Sequence, residues 1–278
     1  MEQLLHAIDA IDRIGNDEWL ATLDDRKRTE LEFHNRDRDP EFRKQAASSS
    51  DTFEKFYGNK KYYGAARRSK LYVDNWIADH GRGRIFLDYA CGNGQYALHA
   101  AKSGAKLALG FDISDVSVQN ARRNAAGLTN IRYFQADAEN TRLPDECIDA
   151  VICSGMLHHL DLSFAFPELR RILKPGGKVL AVEALDYNPA IKLYRSLTPD
   201  MRTEWEKAHI LSLKDLAFAG RFFEVTDVKY WHVVGYAGGK FPALLPALDA
   251  LDRLLEVIPL ANRLAWIFTF CLVKPPRN

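Results

Sequence analysis

The stretch Ile85–Ala97, IFLDYACGNGQYA, restricts what this chain can fold into more than any other. Three apolar residues, Ile85, Phe86 and Leu87, lead into Asp88, and the chain then turns through Cys91-Gly92-Asn93-Gly94 before an alanine-rich helical run. A parallel strand buried on both faces reads as a continuous apolar run, not as an alternation. Glycines directly behind it let the backbone pass close under a ligand at a helix N-terminus. The next apolar run, Lys106–Phe111, ends on Asp112, about 20 positions after Gly92, where a nucleotide-binding βαβ unit places the carboxylate that grips a ribose. Together these features predict a site for an adenosine-containing cofactor.

The spacing Gly92-x-Gly94-x-x-Ala97 also satisfies the loose dinucleotide fingerprint, so the glycines alone do not choose the cofactor. Asp88 does discriminate: at this position it repels a pyrophosphate and attracts the ammonium and sulfonium of S-adenosylmethionine. Downstream come Gln135-Ala-Asp137-Ala138, the stretch Leu143-Pro-Asp145 to Val151, Leu157-His-His-Leu160 and Leu173-Lys-Pro-Gly-Gly177. In that order and spacing, from about Phe86 to Glu183, the chain resembles class I S-adenosylmethionine-dependent methyltransferases, specifically the small-molecule group related to ubiquinone/menaquinone C-methyltransferases.

The resemblance implies a Rossmann-like α/β fold, a seven-stranded mostly parallel sheet with helices on both faces and a helical N-terminal cap. It implies S-adenosylmethionine as cofactor and methyl transfer to an oxygen or carbon of a small, partly apolar molecule. Gly92 and Gly94 are assigned to close backbone approach, Asp88 to the methionine-end ammonium, and Asp112 to both ribose hydroxyls. Ile113 is expected against the adenine face, Asp137 at the adenine amino group and the Ala138 backbone at a ring nitrogen. Ser154 completes this set, and Tyr62 and Tyr63, with Tyr57, are expected in a lid over the cofactor.

Methyl transfer is an in-line displacement at an activated carbon, so the protein chiefly aligns the reactants, and a base is needed only where the acceptor must lose a proton. His158 and His159 follow the fourth strand at the mouth of the site and are the catalytic candidates, His158 as the pocket-facing one. Three other readings remain. One is methylation of a protein or lipid-linked substrate, one a non-catalytic S-adenosylmethionine-binding partner subunit, and one a nicotinamide-dependent oxidoreductase. The last would need a hydride-transfer constellation, and no Tyr-x-x-x-Lys follows the fourth strand.

Lys+Arg 38 against Asp+Glu 37 leaves no electrostatic footprint for nucleic acid or an anionic membrane. Cys91, Cys147, Cys153 and Cys271 show no metal-ligand spacing, and Cys91, Cys153 and Cys271 read as buried small hydrophobes. No metal is expected. The opening Met1-Glu-Gln lacks the basic start of a signal peptide, and Leu264–Val273 is too short to cross a bilayer, so a soluble cytoplasmic protein is expected.

Residues 1–80 read as a helical cap, with an amphipathic first helix through Leu4, Leu5, Ile8, Ile11 and Ile14 and a second from about Glu18 to Phe42 with a boundary near Pro40. Residues 81–278 read as the main domain, interrupted at 186–220 by a charged helical insertion. Near the end, Leu244, Leu248, Leu251, Leu255 and Ile258 form one helical stripe, read as core packing, with contact to a lipid surface as the lesser option.

Overall fold

The computed structural model describes residues 1–276. Seven short helices come first: α1 (Glu2–Asp12), α2 (Asn16–Ala21), α3 (Asp25–Arg38), α4 (Pro40–Ala47), α5 (Ser50–Tyr57), α6 (Lys60–Tyr63) and α7 (Arg67–Gly81). Strand and helix then alternate through β1 (Ile85–Tyr89), α8 (Gln95–Lys102), β2 (Leu107–Asp112), α9 (Asp115–Asn124), β3 (Ile131–Gln135), β4 (Ile148–Ser154), α10 (Leu162–Ile172) and β5 (Leu173–Ala184). Three more helices, α11 (Pro189–Leu197), α12 (Glu204–Ala208) and α13 (Leu213–Ala219), precede β6 (Glu224–Trp231), α14 (Leu245–Leu255) and β7 (Ile267–Val273).

The strands form one sheet in the order β3-β2-β1-β4-β5-β7-β6. β1 to β5 are mutually parallel, and β7 runs antiparallel to both of its neighbours. This is the Rossmann-like, mostly parallel sheet with helices on both faces. All residues of β1 and β2 are buried, as apolar runs covered on both faces require. Alternate side chains serve opposite layers. Leu87 and Tyr89 pack with α1 and α10 through Leu4, Ile8 and Phe166. Phe86 packs with α7 and α8 through Ile77 and Ala97. Burying Leu4 and Ile8 in the sheet's own core contributes about 1.5–3 kcal/mol each, so the first helix is pinned to the sheet.

Several elements depart from the sequence expectation. The second helix breaks at Pro40 as expected, with Asp39 capping α4, but it is also cut earlier, because Asp24 caps a fresh start by accepting from the Lys27 N–H at 2.8 Å. Leu173 already pairs with Ile148, but the next partners are Lys178 and Ala150, so Lys174–Gly177 stands out of the ladder. Cys91 is half-buried, not buried, because it lies in the turn beyond the strand. The leucine stripe of α14 is not core: Leu244, Leu251 and Ile258 are exposed, while Leu245 and Asp252 are buried.

Gly94 opens α8 at φ 77°, and a Cβ there would come within 2.5 Å of the Tyr133 hydroxyl, which donates to the Gly94 carbonyl at 2.6 Å. The residue is glycine because both the backbone conformation and the approaching ring demand it. Gly94→Ala should cost about 2–5 kcal/mol, from left-handed strain plus overpacking, read as a lower urea midpoint at unchanged slope.

Candidate active site

The carboxyl ends of β1, β2 and β4 meet a crevice that α3 covers, as the topology of an open parallel sheet requires. Asp112 ends β2 and is buried; one oxygen accepts from the Gly92 N–H at 2.8 Å and the other from the Ser114 N–H at 2.9 Å. Each oxygen keeps a lone pair, and Asp112, Gly92, Ile113, Asp137 and Ala138 all line the same cavity. The Ala138 carbonyl accepts from the Tyr89 hydroxyl, which leaves its N–H side to the crevice edge.

Asp88 stands elsewhere. It is buried under the turn, lines neither adjoining cavity, and accepts from the Ala97 N–H at 3.1 Å. Burial pushes its carboxyl up to about 8, so at neutral pH it caps α8 instead of offering a free charge. Gly94 likewise lies outside both cavity linings.

The crevice is narrow, about 100 Å³, because α3 is latched across it. Lys27 Nζ reaches Asp137 at 2.7 Å and Glu139 at 3.0 Å, and Arg26 reaches Glu139 at 2.6 Å. Ligand pockets typically need about 300–1,000 Å³. The polar lining fits a nucleoside, while the latch must give way for one to enter. Nothing in the local sequence of α3 marks it as that latch; only its position over β2 and β4 does.

Beyond the crevice lies a cavity of about 550 Å³, and His34, Arg38, Ser154, Gly155 and His159 line both spaces. A third chamber of about 320 Å³ adjoins it, walled by Ile191, Leu193, Tyr194 and Leu197 and reached past His158 and Tyr63. Tyr62 and Tyr63 line this outer chamber and not the crevice, and Tyr57 is buried with its hydroxyl donating to the Asp37 carbonyl at 3.2 Å.

The two histidines have different surroundings. Glu183, buried on β5, accepts from the N–H groups of Met156 and Leu157 at 2.9 and 2.8 Å with one oxygen, and meets His158 Nδ1 at 2.7 Å with the other. A carboxylate oxygen accepts here, so Nδ1 carries a proton in either state of the ring and Nε2, 3.7 Å from Glu206, is the nitrogen that titrates. Burial draws the His158 pKa down, but the charge and hydrogen bond of Glu183, with Glu206 beyond, outweigh it and hold the pKa above the usual imidazole value. His159 is pushed down to about 4 by burial and by the His158 charge, although Glu30 on α3 bonds its Nδ1 at 2.9 Å. His158 therefore serves the cavity, while His159 is tied to the latch helix. Glu183 escaped the sequence reading because nothing in Val182-Glu183-Ala184 distinguishes an orienting carboxylate from a strand-end residue.

Residues 87–181 match the family described as a methyltransferase domain. That match covers about a third of the chain, and in this stretch and in its fold the chain is similar to class I methyltransferases. Over 118 residues the chain is 36% identical to the ubiquinone biosynthesis O-methyltransferase of Alkalilimnicola ehrlichii, covering 41% of this chain and 47% of that protein. Over 104 residues it is 35% identical to the ubiquinone/menaquinone biosynthesis C-methyltransferase UbiE of Acidiphilium cryptum, covering 36% of this chain and 42% of that protein. The chain thus spans less than half the length of these curated relatives. Among solved structures, that of the 4+2 cyclase SpnF superposes with a TM-score of 0.53 at 22% identity, covering 74% of this chain and 80% of that one. The methyltransferase match contains Asp112, Asp137 and both histidines, and it ends before Glu183 and excludes the latch helix.

If Lys27 competes for Asp137, Lys27→Ala should tighten binding of S-adenosylhomocysteine about 2- to 5-fold, the worth of one partly exposed ion pair. Calorimetric titration at low salt checks this, and weaker binding would instead place Lys27 among the ligand contacts.

Proposed function

We propose that this methyltransferase moves a methyl group from S-adenosylmethionine to an oxygen or carbon of a small, partly apolar acceptor. The observation that carries the reading is the junction at Ser154, Gly155 and His159, where the nucleoside crevice opens into the larger cavity beside an oriented imidazole. The fold alone would not support it, since a protein named as a cyclase shares that fold. The support is the family match together with this junction.

In this reading residues 1–80 serve as a cap, and α3 is the part of it that must shift. Asp112 accepts from the ribose hydroxyls, Ile113 lies along the adenine, and Asp137, freed from Lys27, accepts from the adenine amino group. Arg38 stands over Gly92, its guanidinium 3.6 Å from where a Cβ would be, and supplies a cation for the cofactor's carboxylate. When bound, the cofactor supplies a methyl group already activated by its sulfonium. His158 then takes the acceptor's proton on Nε2, while Glu183 holds the ring and stabilises the imidazolium. Ile191, Leu193, Leu197 and Tyr194 offer the acceptor an apolar wall. The relatives' names place them in quinone biosynthesis, which favours apolar phenols and acidic ring carbons as the first acceptors to assay.

Two measurements test this. Asp112→Ala should weaken S-adenosylhomocysteine binding by at least about 10-fold, because two charge-assisted hydrogen bonds are lost. Retained affinity would remove Asp112 from the site.

The second measurement is the pH profile of kcat/KM. His158 works only as the neutral base, so activity should rise with pH through its raised pKa. Glu183→Gln removes the carboxylate that raises it, so the midpoint should move to lower pH while the plateau falls about 10²- to 10⁴-fold. A profile with no acidic limb, or one unmoved in Glu183→Gln, would leave catalysis to alignment alone.

A further inference from the structure

Helix α14 turns two acids toward the protein beside Leu245. Asp252 is 0% exposed, and its oxygens accept from the N–H groups of Val234 at 2.8 Å and Gly235 at 3.0 Å. No cationic side chain pairs with it among the described residues: Arg68, close enough to act on it, is clasped by Glu256 at 2.9 and 2.6 Å. One helical turn back, Asp249 has a buried Oδ1 with no hydrogen-bond partner among the described residues. A carboxylate held dry without a counter-charge is costly, and a second, half-buried one turns an oxygen toward the same spot.

The third member is His232, also 0% exposed, at the end of β6 and in the left-handed region at φ 63°. The Ser69 hydroxyl donates to the Ala66 carbonyl at 3.2 Å, so its oxygen receives the His232 Nε2–H across 3.0 Å. That assigns a bare Nδ1. This atom has no hydrogen-bond partner and lies 3.8 Å from Asp252 Oδ2, lone pair toward carboxylate. Nδ1 and one oxygen of each aspartate lie within 4.8 Å of one another. Gly235 makes room for this carboxylate, since a Cβ there would stand 2.3 Å from Asp252 Oδ2.

We propose that His232, Asp249 and Asp252 bind a divalent transition-metal cation that locks α14 to the turn walling the outer chamber. A water molecule would satisfy the open valences but not the two charges; a divalent cation satisfies both. One imidazole with two carboxylates suits Zn²⁺, Mn²⁺ or Fe²⁺ better than Mg²⁺ or Ca²⁺, which favour oxygen alone. Ser69 is the partner that aims the imidazole, as the outer neighbours of metal ligands do. The turn so fixed, 235–239, leads into Lys240, and Tyr236 and Lys240 line the outer chamber. Gly239 also lies against α6, where a Cβ would come within 2.6 Å of the Lys61 carbonyl. Metal at this site therefore stiffens one wall of the acceptor chamber while touching no reacting group.

The test is calorimetric titration of chelator-treated, full-length protein with ZnCl2 and MnCl2, alongside Asp249→Asn. Asp249 is the gentle choice, because its Oδ1 has no hydrogen bond to lose. One equivalent of metal should bind with a rise in Tm, and Asp249→Asn should weaken it by at least about 10-fold while leaving the metal-free Tm unchanged. Two other clusters could take metal, Glu30 with His34 and His159, and His158 with His159 and Glu206; the control His34→Gln addresses the first and should leave the metal affinity unchanged. No saturable binding, or binding that Asp249→Asn leaves intact, overturns the proposal. Should the variant fold poorly, nitrogen NMR of the unmutated protein decides. Zn²⁺ must move the His232 Nδ1 resonance, and movement of His34, His158 or His159 in its place also overturns the proposal.

Discussion

Parallel strands end together at one edge, and each ends in backbone N–H groups that the ladder does not use. In this protein buried carboxylates take them up, and each reaches across to the loop of its own or a neighbouring strand. Asp88 on β1 holds the start of α8, Asp112 on β2 holds the glycine turn behind β1, and Glu183 on β5 holds the turn behind β4. Because the order is β2-β1-β4-β5, these acids stitch one continuous rim from the crevice to the larger cavity. Removing any of them would free a loop as well as a charge, which is why stability and ligand binding have to be measured together at these positions.

The same chemistry performs different work according to burial. Asp88 has no exposed partner and its pKa rises, so it acts as a helix cap. Asp112 points its remaining lone pairs into the crevice. Glu183 spends one oxygen on the backbone and the other on His158, which converts an ordinary imidazole into an oriented one. His159, next in the chain, looks toward α3 and Glu30 instead. A short helical turn puts adjacent side chains on different faces, so two neighbouring histidines divide between cavity and latch.

Electrostatics also govern access. The ion pairs of Lys27 and Arg26 with Asp137 and Glu139 close the crevice with modest individual strength, since each is partly screened. Asp137 lines the crevice and also takes the Lys27 ion pair that closes it. The far end of the chain repeats the theme: α14 leaves Leu251 and Leu254 exposed and turns Asp249 and Asp252 toward His232. Seven large apolar residues from Leu244 to Leu264 that remain exposed show how far helical periodicity alone can mislead about direction.

The sequence by itself determined the strand, glycine turn and helix of residues 85–102, the alternation that makes the sheet parallel, and the residues at the carboxyl ends of the strands. Those features rest on local physics: apolar runs, glycine conformations and caps act over a few residues. It also brought Asp112, Ile113, Asp137 and Ala138 to one crevice, because fixed strand ends place them there. Only the tertiary structure decided that Asp88 faces inward, that Tyr62 and Tyr63 line the outer chamber, that α3 lies across the crevice, and that Glu183 and Glu206 flank His158. Each of those depends on contacts between residues far apart in the chain, such as Lys27 with Asp137 or Arg68 with Glu256. No local pattern encodes them, since they arise from where packed elements meet.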